Sequence, residues 1–246
     1  MTPSSDPGDP VASTYTRRIV VSPGPTAIDA EMEDHHHHFR VHLDLVDGVI
    51  SGVSTTAVRS PWSTCATGAT AIASLVGLSL DDAFEPRTWG ADRSVHCTHV
   101  ADLALLAVRH GRDVEALRYD VRVVPAAAES RTAVLEHRGA GGMRWELSGQ
   151  VITGPQPFDR LSLGRDQFLP WIRSSLAPAQ IEYAMVLRRA ATIAVGNAFD
   201  LDDYATAGDV HPADQTCHTY RREIAFTARR KRGTSRTLSW SDPGAP

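Results

Sequence analysis

Apolar and polar side chains alternate from residue 39 to residue 45, which is typical of a β-strand with one buried face. The apolar positions are Phe39, Val41, Leu43 and Leu45. Asp47-Gly48 follows as a strong signal for a tight turn. The pattern therefore predicts a hairpin, with residues 49–58 as its returning strand. A shorter strand is predicted before it, at residues 16–21.

Two helices are predicted after the hairpin. The first covers residues 65–76, with Ser63 or Thr64 as its cap and Gly77 as its stop. The second follows Cys97 and ends at Gly111. Residues 81–93 are predicted to form a polar connection between them.

The second half of the chain continues with strands and helices in separate runs. Strands are predicted at residues 114–124, 131–137, 144–152, 216–229 and 234–240, and helices at 167–174 and from Pro178 to Gly196. The fold class is therefore predicted as α+β: an N-terminal hairpin plus two helices, extended by antiparallel strands and a long helix. We expect one domain over residues 16–240, with disordered tails at 1–15 and 241–246.

Composition limits the classes of function. The 246 residues are 42% apolar and 22% charged, which is ordinary for a soluble globular protein. The net charge of −4 gives no general attraction for nucleic acid. No apolar run approaches the roughly 20 residues that span a bilayer, so we expect a cytoplasmic protein with neither a membrane nor nucleic acid as its partner. Its oligomeric state is left open.

Two of the three cysteines occupy similar predicted positions. Cys65 and Cys97 each stand at the start of a helix, where the helix dipole can lower a thiol pKa from about 8.5 towards about 7. Thiolates bind zinc and iron well, and imidazole suits both metals. These two cysteines are therefore predicted metal ligands. The alternative is that each is a buried, inert side chain.

Histidines accompany the cysteines. In the run of four at residues 35–38, His35 and His37 share the strand parity of the apolar face, whereas His36 and His38 point the other way. His99 lies two residues beyond Cys97 and can be a ligand or a proton carrier. The alternative for the run is a solvated strand end.

The stretch 34–110 resembles the U-type iron–sulfur cluster scaffold proteins: a hairpin, a Cys at a helix start, a connection, and a second Cys at a helix start. The resemblance places His35 and His37 where that family has a Cys and an Asp. It places Cys65 and Cys97 at the second and third cysteines of the family.

The whole chain also resembles a bacterial family of unknown function. The matching segments are 34–38, 61–65 (Pro-x-x-x-Cys), 97–100 (Cys-Thr-His-Val) and 216–220, which contains a late Cys in a predicted strand. The resemblance implies that Cys217 belongs with Cys65 and Cys97. From its own position in a strand, Cys217 is equally well explained as a buried structural residue.

Two residues of the long helix are candidate catalytic groups. Arg188 falls in an apolar stripe and needs a partner, because an unpaired buried charge is costly. That partner is either a substrate carboxylate or an internal acidic residue. Glu182 is a candidate general base, with a dipole-compatible Glu in the first turns as the alternative.

These observations favour a metal-dependent enzyme, a hydrolase or lyase, that uses zinc or non-haem iron to act on a small organic metabolite, acidic ones included. The alternative is a metal or iron–sulfur carrier without catalysis. A third interpretation treats the cysteines as core residues.

Overall fold

The structure is a computed structural model, and it describes residues 13–84, 95–126, 129–210 and 216–238. Its strands are β1 (Tyr15–Pro23), β2 (Ala27–Asp34), β3 (His38–Val46), β4 (Val49–Arg59), β5 (Leu117–Pro125), β6 (Ser130–His137), β7 (Gly141–Ser148) and β8 (Val151–Gly154). They form an antiparallel sheet in the order β4-β3-β2-β1-β5-β6-β7-β8.

The α-helices of the described residues are α1 (Cys65–Ala69), α2 (Leu80–Phe84), α3 (Thr98–His110), α4 (Arg165–Ser175), α5 (Pro178–Ile193) and α6 (Ala207–Val210). One antiparallel sheet with helices in separate runs confirms the α+β class. None of these helices is long and apolar enough to span a membrane. The predicted tails at 1–12 and 241–246, most of the predicted connection, and the end of the predicted last strand lie outside the described residues.

The chain divides into two compact units. The first contains residues up to Tyr15, Val121–Leu135 and Gly142–Asp200, and the second contains Thr16–Asp120, Glu136–Gly141 and the residues from Leu201 onward. One domain over residues 16–240 stays a prediction. Strand β1 begins at Tyr15, which is buried, inside the predicted tail.

The predicted hairpin is present in the second unit as β3 and β4. Asp47 and Gly48 both have positive φ values, 51° and 77°, as a type I′ turn requires. Helix α3 packs against β2 and β3, and its apolar stripe is fully buried. The stripe consists of Val100, Leu103, Ala104 and Ala107.

Strand β2 was missed by the sequence analysis. It pairs with β1 on one side and β3 on the other, with Ile28, Ala30 and Met32 buried. These residues alternate with Asp29, Glu31 and Glu33, so the period of two was present in the sequence. The strand places Asp34 at its last position.

Helix α3 supplies a direct test of the core. We expect Leu103→Ala to lower the free energy of unfolding by about 2–5 kcal/mol, because a buried Leu loses its packing and leaves a cavity. Urea unfolding measures the change. Leu105→Ala in the same helix is the control, because Leu105 is only half-buried. Equal losses for the two variants would contradict the placement of α3.

The first helix prediction is confirmed in part: residues 65–69 form α1, and Thr70–Leu75 continue as a 3-10 helix. Helix α2 replaces the start of the predicted polar connection. Its first turn is closed by Ser79 and Asp82, because the Ser79 hydroxyl accepts from the Asp82 N–H at 3.1 Å.

In the first unit, the helices predicted at 167–174 and from Pro178 are confirmed as α4 and α5. Trp145, Phe158 and Phe168 form an aromatic core there, with ring centroids 5.4 and 5.8 Å from Trp145.

The strand predicted at residues 216–229 is wrong. The segment begins with a 3-10 helix at His218–Tyr220 and continues through turns. Its backbone groups bond locally, for example from the Ala225 N–H to the Arg221 carbonyl at 2.8 Å. Those groups are therefore used within the segment instead of pairing with a strand.

Candidate metal centre

Asp34 shapes the turn between β2 and β3. Its Oδ1 accepts the backbone N–H groups of His36 and His37, each at 2.8 Å. The Asp34 N–H also donates to the His37 carbonyl at 2.8 Å. An Asp side chain that bonds the backbone two and three residues ahead is a strong turn former. As a result, the side chains of His35, His36 and His37 are all buried.

The Asp34 carboxylate is buried together with Arg17. The two residues stand opposite each other in the β1–β2 register, and Arg17 Nη2 donates to Asp34 Oδ2 at 2.6 Å. Burial acts to raise the pKa of Asp34, but the nearby His37 and Arg17 outweigh it and hold this pKa well below its ordinary value. Asp34 is therefore an anion at neutral pH, and its Oδ2 is anchored.

Arg59, at the end of β4, fixes the backbone of the same turn. Its guanidinium donates to the carbonyls of Asp34 at 2.6 Å, His35 at 2.8 Å and His37 at 3.2 Å. Arg59 is only 5% exposed. One rigid, always charged guanidinium therefore holds three carbonyls of the histidine turn in place.

Two histidines meet at this turn. The rings of His37 and His99 stack with centroids 4.0 Å apart, and each also stacks near Phe39. His37 Nδ1 lies 3.0 Å from Asp34 Oδ1. One ligand atom each from Asp34, His37 and His99 lies within 4.8 Å of the other two, and all three residues are buried. Asp34, His37 and His99 therefore form a group that can hold a metal ion.

The structure places His35 differently from the prediction. Its Nε2 accepts the backbone N–H groups of Thr16 at 3.3 Å and Leu238 at 3.4 Å. This nitrogen therefore has hydrogen-bond partners within the protein, one in β1 and one in the C-terminal segment. The strand parity inferred for residues 35–38 is also wrong, because the turn interrupts the strand and His36 is buried as well.

Cys65 and Cys97 come close together through α1. The Cys97 N–H donates to the carbonyl of Gly68 at 2.9 Å, one helical turn after Cys65. Residues three apart share one face of a helix. The Cys65 Sγ lies 3.7 Å from the Thr219 hydroxyl.

Cys217 joins the same region. The N–H of His218 donates to the carbonyl of His96 at 3.0 Å. Cys217 precedes His218 and Cys97 follows His96, so the two cysteines lie next to this hydrogen bond. Cys217 stands at the start of the 3-10 helix. Cys217 was predicted to lie in a strand, and no strand is present at this position.

The thiol pKa values shift in the direction opposite to the prediction. Burial is the main cause that raises the pKa of Cys97, and the nearby Cys65 and Cys217 raise it further. The backbone amides of Val100 and His99, at the start of α3, act in the predicted direction but are outweighed. Burial likewise raises the pKa of Cys65. The position of both cysteines at helix starts was predicted correctly, but the prediction of a lowered thiol pKa left out burial, which raises it.

Close packing at Gly68 gives a second test. A Cβ at this position would lie 2.7 Å from His218 Cβ and 3.2 Å from the Cys97 nitrogen. We expect Gly68→Ala to lower the free energy of unfolding, because overpacking of about 1–3 kcal/mol exceeds the helix-propensity gain of about 1 kcal/mol. Thermal unfolding measures it. Gly154→Ala is the control, since nothing lies within 4 Å of its added Cβ, and a neutral Gly68→Ala would contradict this packing.

Glu182 and Arg188 belong to the first unit. Arg188 Nε donates to the Leu163 carbonyl at 2.7 Å, and its guanidinium lies 5.5 Å from the centre of the Phe168 ring. The predicted need for a partner is thus met inside the protein, by a backbone carbonyl and an aromatic ring. Glu182 is buried on α5. Catalytic roles for both residues stay predictions.

Asp34, Arg17 and Arg59 were not among the predicted site residues. Their signal was present: a single Asp directly precedes the four histidines. Because β2 was not predicted, however, nothing placed Arg17 opposite Asp34.

The Asp34 turn lies inside a region that matches a family model. Residues 14–110 match the model of a protein family of unknown function, DUF2889. The match contains β1 to α3 and therefore the whole Asp34 group, together with Cys65 and Cys97, but it ends before Cys217. No curated protein and no solved structure matches the chain. The DUF2889 match confirms a resemblance to a family of unknown function, whereas the shared motifs and the scaffold resemblance stay predictions.

Proposed function

We propose that this chain is a metal-dependent enzyme whose zinc or non-haem iron ion is held by Asp34, His37 and His99. The observation that carries the proposal is the buried group of one carboxylate and two imidazoles with ligand atoms within 4.8 Å of one another. Two imidazoles and one carboxylate are a ligand set used by non-haem iron enzymes and by catalytic zinc sites.

The spacing between Asp34 and His37 supports the proposal. Ligand atoms about 2.1 Å from one ion lie about 3.0 Å apart at the right angles of an octahedral site, and about 3.4 Å apart at the tetrahedral angle of zinc. Asp34 Oδ1 and His37 Nδ1 are separated by 3.0 Å. A metal ion can therefore take the place of the hydrogen between these two atoms with little change in the turn.

The surrounding residues fit such an ion. Arg17 binds the Oδ2 side of Asp34, and Oδ1 faces His37 Nδ1 while it also accepts the two backbone N–H groups of the turn. Phe39 stacks beside the two histidines and keeps water from that side. Fixed ligands in a dry, shaped environment are what the protein contributes in metal-ion catalysis.

The chemistry that follows is hydrolysis or lyase-type elimination on a small organic substrate, acidic ones included. A bound zinc or iron ion would polarise a substrate oxygen or activate a water. The side chain of His37 is 11% exposed, so a substrate could reach the group from its edge.

Elemental analysis of untagged protein tests the proposal. We expect His37→Ala to lose one equivalent of zinc or iron relative to the wild type. His42→Ala is the control, because His42 also pairs with carboxylates, Asp29 and Asp44, but on the exposed face. The same metal content in wild type and His37→Ala would refute the proposed ligand set.

A second candidate function is a metal or iron–sulfur carrier. It is favoured by the convergence of Cys65, Cys97 and Cys217, which the enzyme proposal does not use. Cluster absorbance after anaerobic reconstitution with iron and sulfide would support it. A colourless protein after reconstitution would exclude an iron–sulfur carrier.

A further inference from the structure

We propose a second metal site of different chemistry, in which the thiolates of Cys65, Cys97 and Cys217 and the imidazole Nδ1 of His218 bind one thiophilic divalent cation, zinc above all. Three cysteines and one histidine are a standard set for a closed, structural zinc site. The site is independent of the Asp34 group and goes beyond the proposed enzyme function.

Three segments far apart in the chain carry these ligands. The bond from the Cys97 N–H to Gly68 joins α1 to the start of α3, and the bond from the His218 N–H to His96 joins the C-terminal segment to both. The close approach of Gly68 to the His218 ring completes the contact. The chain has three cysteines in all, and all three are located in these segments.

His218 is prepared to be a ligand through Nδ1. This atom is buried and has no hydrogen-bond partner among the described residues. A hydrogen bond joins the ring of His218 to the backbone of Val95. Because Nδ1 has no partner, that bond belongs to Nε2. The neutral ring therefore presents a lone pair at Nδ1, as a metal requires.

The four ligand atoms must move closer together on binding. Among the described residues, the group within 4.8 Å is that of Asp34, His37 and His99. Rotation about the Cα–Cβ bond moves each Sγ between staggered positions while the backbone stays in place. The cation displaces the thiol protons, which are released to solvent. The backbone amides at the start of α3 then stabilise the negative charge of Cys97.

Such an ion would link the DUF2889 region to the C-terminal segment. Cys65 and Cys97 lie inside residues 14–110, and Cys217 and His218 lie outside. Thr64 and Thr219 already bond across the same contact at 3.0 Å. The structural role of the site is therefore to fasten the segment after residue 216 to α1.

Cobalt(II) titration of the full chain under reducing, anaerobic conditions tests this site. We expect wild-type protein to develop sulfur-to-cobalt charge-transfer absorbance that zinc abolishes. Cys217→Ser is the first variant, because Cys217 is the least buried of the three cysteines, and it should lose a large part of this absorbance. His37→Ala should keep it in full, so the two sites fail separately.

Native mass spectrometry provides the second measurement. We expect two zinc ions on the wild type, one on Cys217→Ser and one on His37→Ala. His218→Ala tests the fourth ligand and should shift the cobalt spectrum away from that of the wild type. Folded wild-type protein that binds cobalt without any sulfur-to-cobalt band would overturn the proposal, whatever the state of the Asp34 group.

Discussion

Replacing Arg17 with Met will lower the free energy of unfolding by about 3–5 kcal/mol, the cost of breaking a buried ion pair from one side. The side chains of Arg17 and Asp34 are 2% and 0% exposed, and their closest atoms are 2.6 Å apart. Met keeps the length of the side chain but leaves the Asp34 carboxylate buried without its ion-pair partner. Chemical unfolding of metal-free protein at neutral pH measures the loss.

Arg18→Met is the matched control. Arg18 follows Arg17 in β1 and pairs with Asp120 at the same distance, 2.6 Å, but both side chains are 22% exposed. Water screens this pair, and a loss of about 0–1 kcal/mol is expected. Similar losses for the two variants would show that burial of the Arg17–Asp34 pair is not what makes it important.

The pH dependence of stability follows from the same pair. The pKa of Asp34 is lower in the folded protein than its ordinary value. Its carboxylate therefore stabilises the fold fully above the ordinary pKa, and this contribution is lost as the pH falls through the folded value. In metal-free wild type, unfolding should become easier over this acidic range. The dependence should be flatter in Arg17→Met, because Arg17 is one cause of the shift.

Zinc will stabilise the wild type more than it stabilises a variant without His99. At a free zinc concentration one hundred times the Kd, binding to one site adds about 2.7 kcal/mol. His99→Phe keeps a ring to stack on His37 and Phe39 and removes the ligand nitrogen. Unfolding with and without zinc, in wild type and variant, measures the difference.

His110→Phe is the control for that experiment. His110 lies at the other end of α3 and pairs with Asp113. It should keep the full response to zinc. An undiminished zinc response in His99→Phe would remove His99 from the ligand set, although the thiol site would still contribute its own stabilisation in every variant.

The sequence predicted the elements with strong local signals. The period of two in residues 39–45 and the Asp47-Gly48 turn gave the β3–β4 hairpin, and Cys97 to Gly111 bounded α3 correctly. The same period in β2 was missed because three acidic residues obscure it. The late strand was predicted at residues 216–229, but the backbone groups of that segment form hydrogen bonds within local turns instead.

The candidate site was predicted only in part. His37 and His99 were chosen from the sequence, and the structure stacks them. Asp34 lies next to His37 and His99 only because of the turn that its side chain forms. Arg17 lies next to Asp34 only because of the register of β1 against β2. Contacts of this kind depend on tertiary pairing, which local patterns do not encode. The burial that raises the pKa of Cys97 also depends on tertiary packing.

The most direct test of the Asp34 group is anomalous diffraction from crystals grown with zinc, recorded on both sides of the zinc absorption edge. We expect an anomalous peak about 2.0–2.2 Å from a carboxylate oxygen of Asp34 and from one ring nitrogen each of His37 and His99. The contrary result would be well-ordered density for these three side chains in which Asp34 keeps its hydrogen bond to His37 and no anomalous peak lies between them.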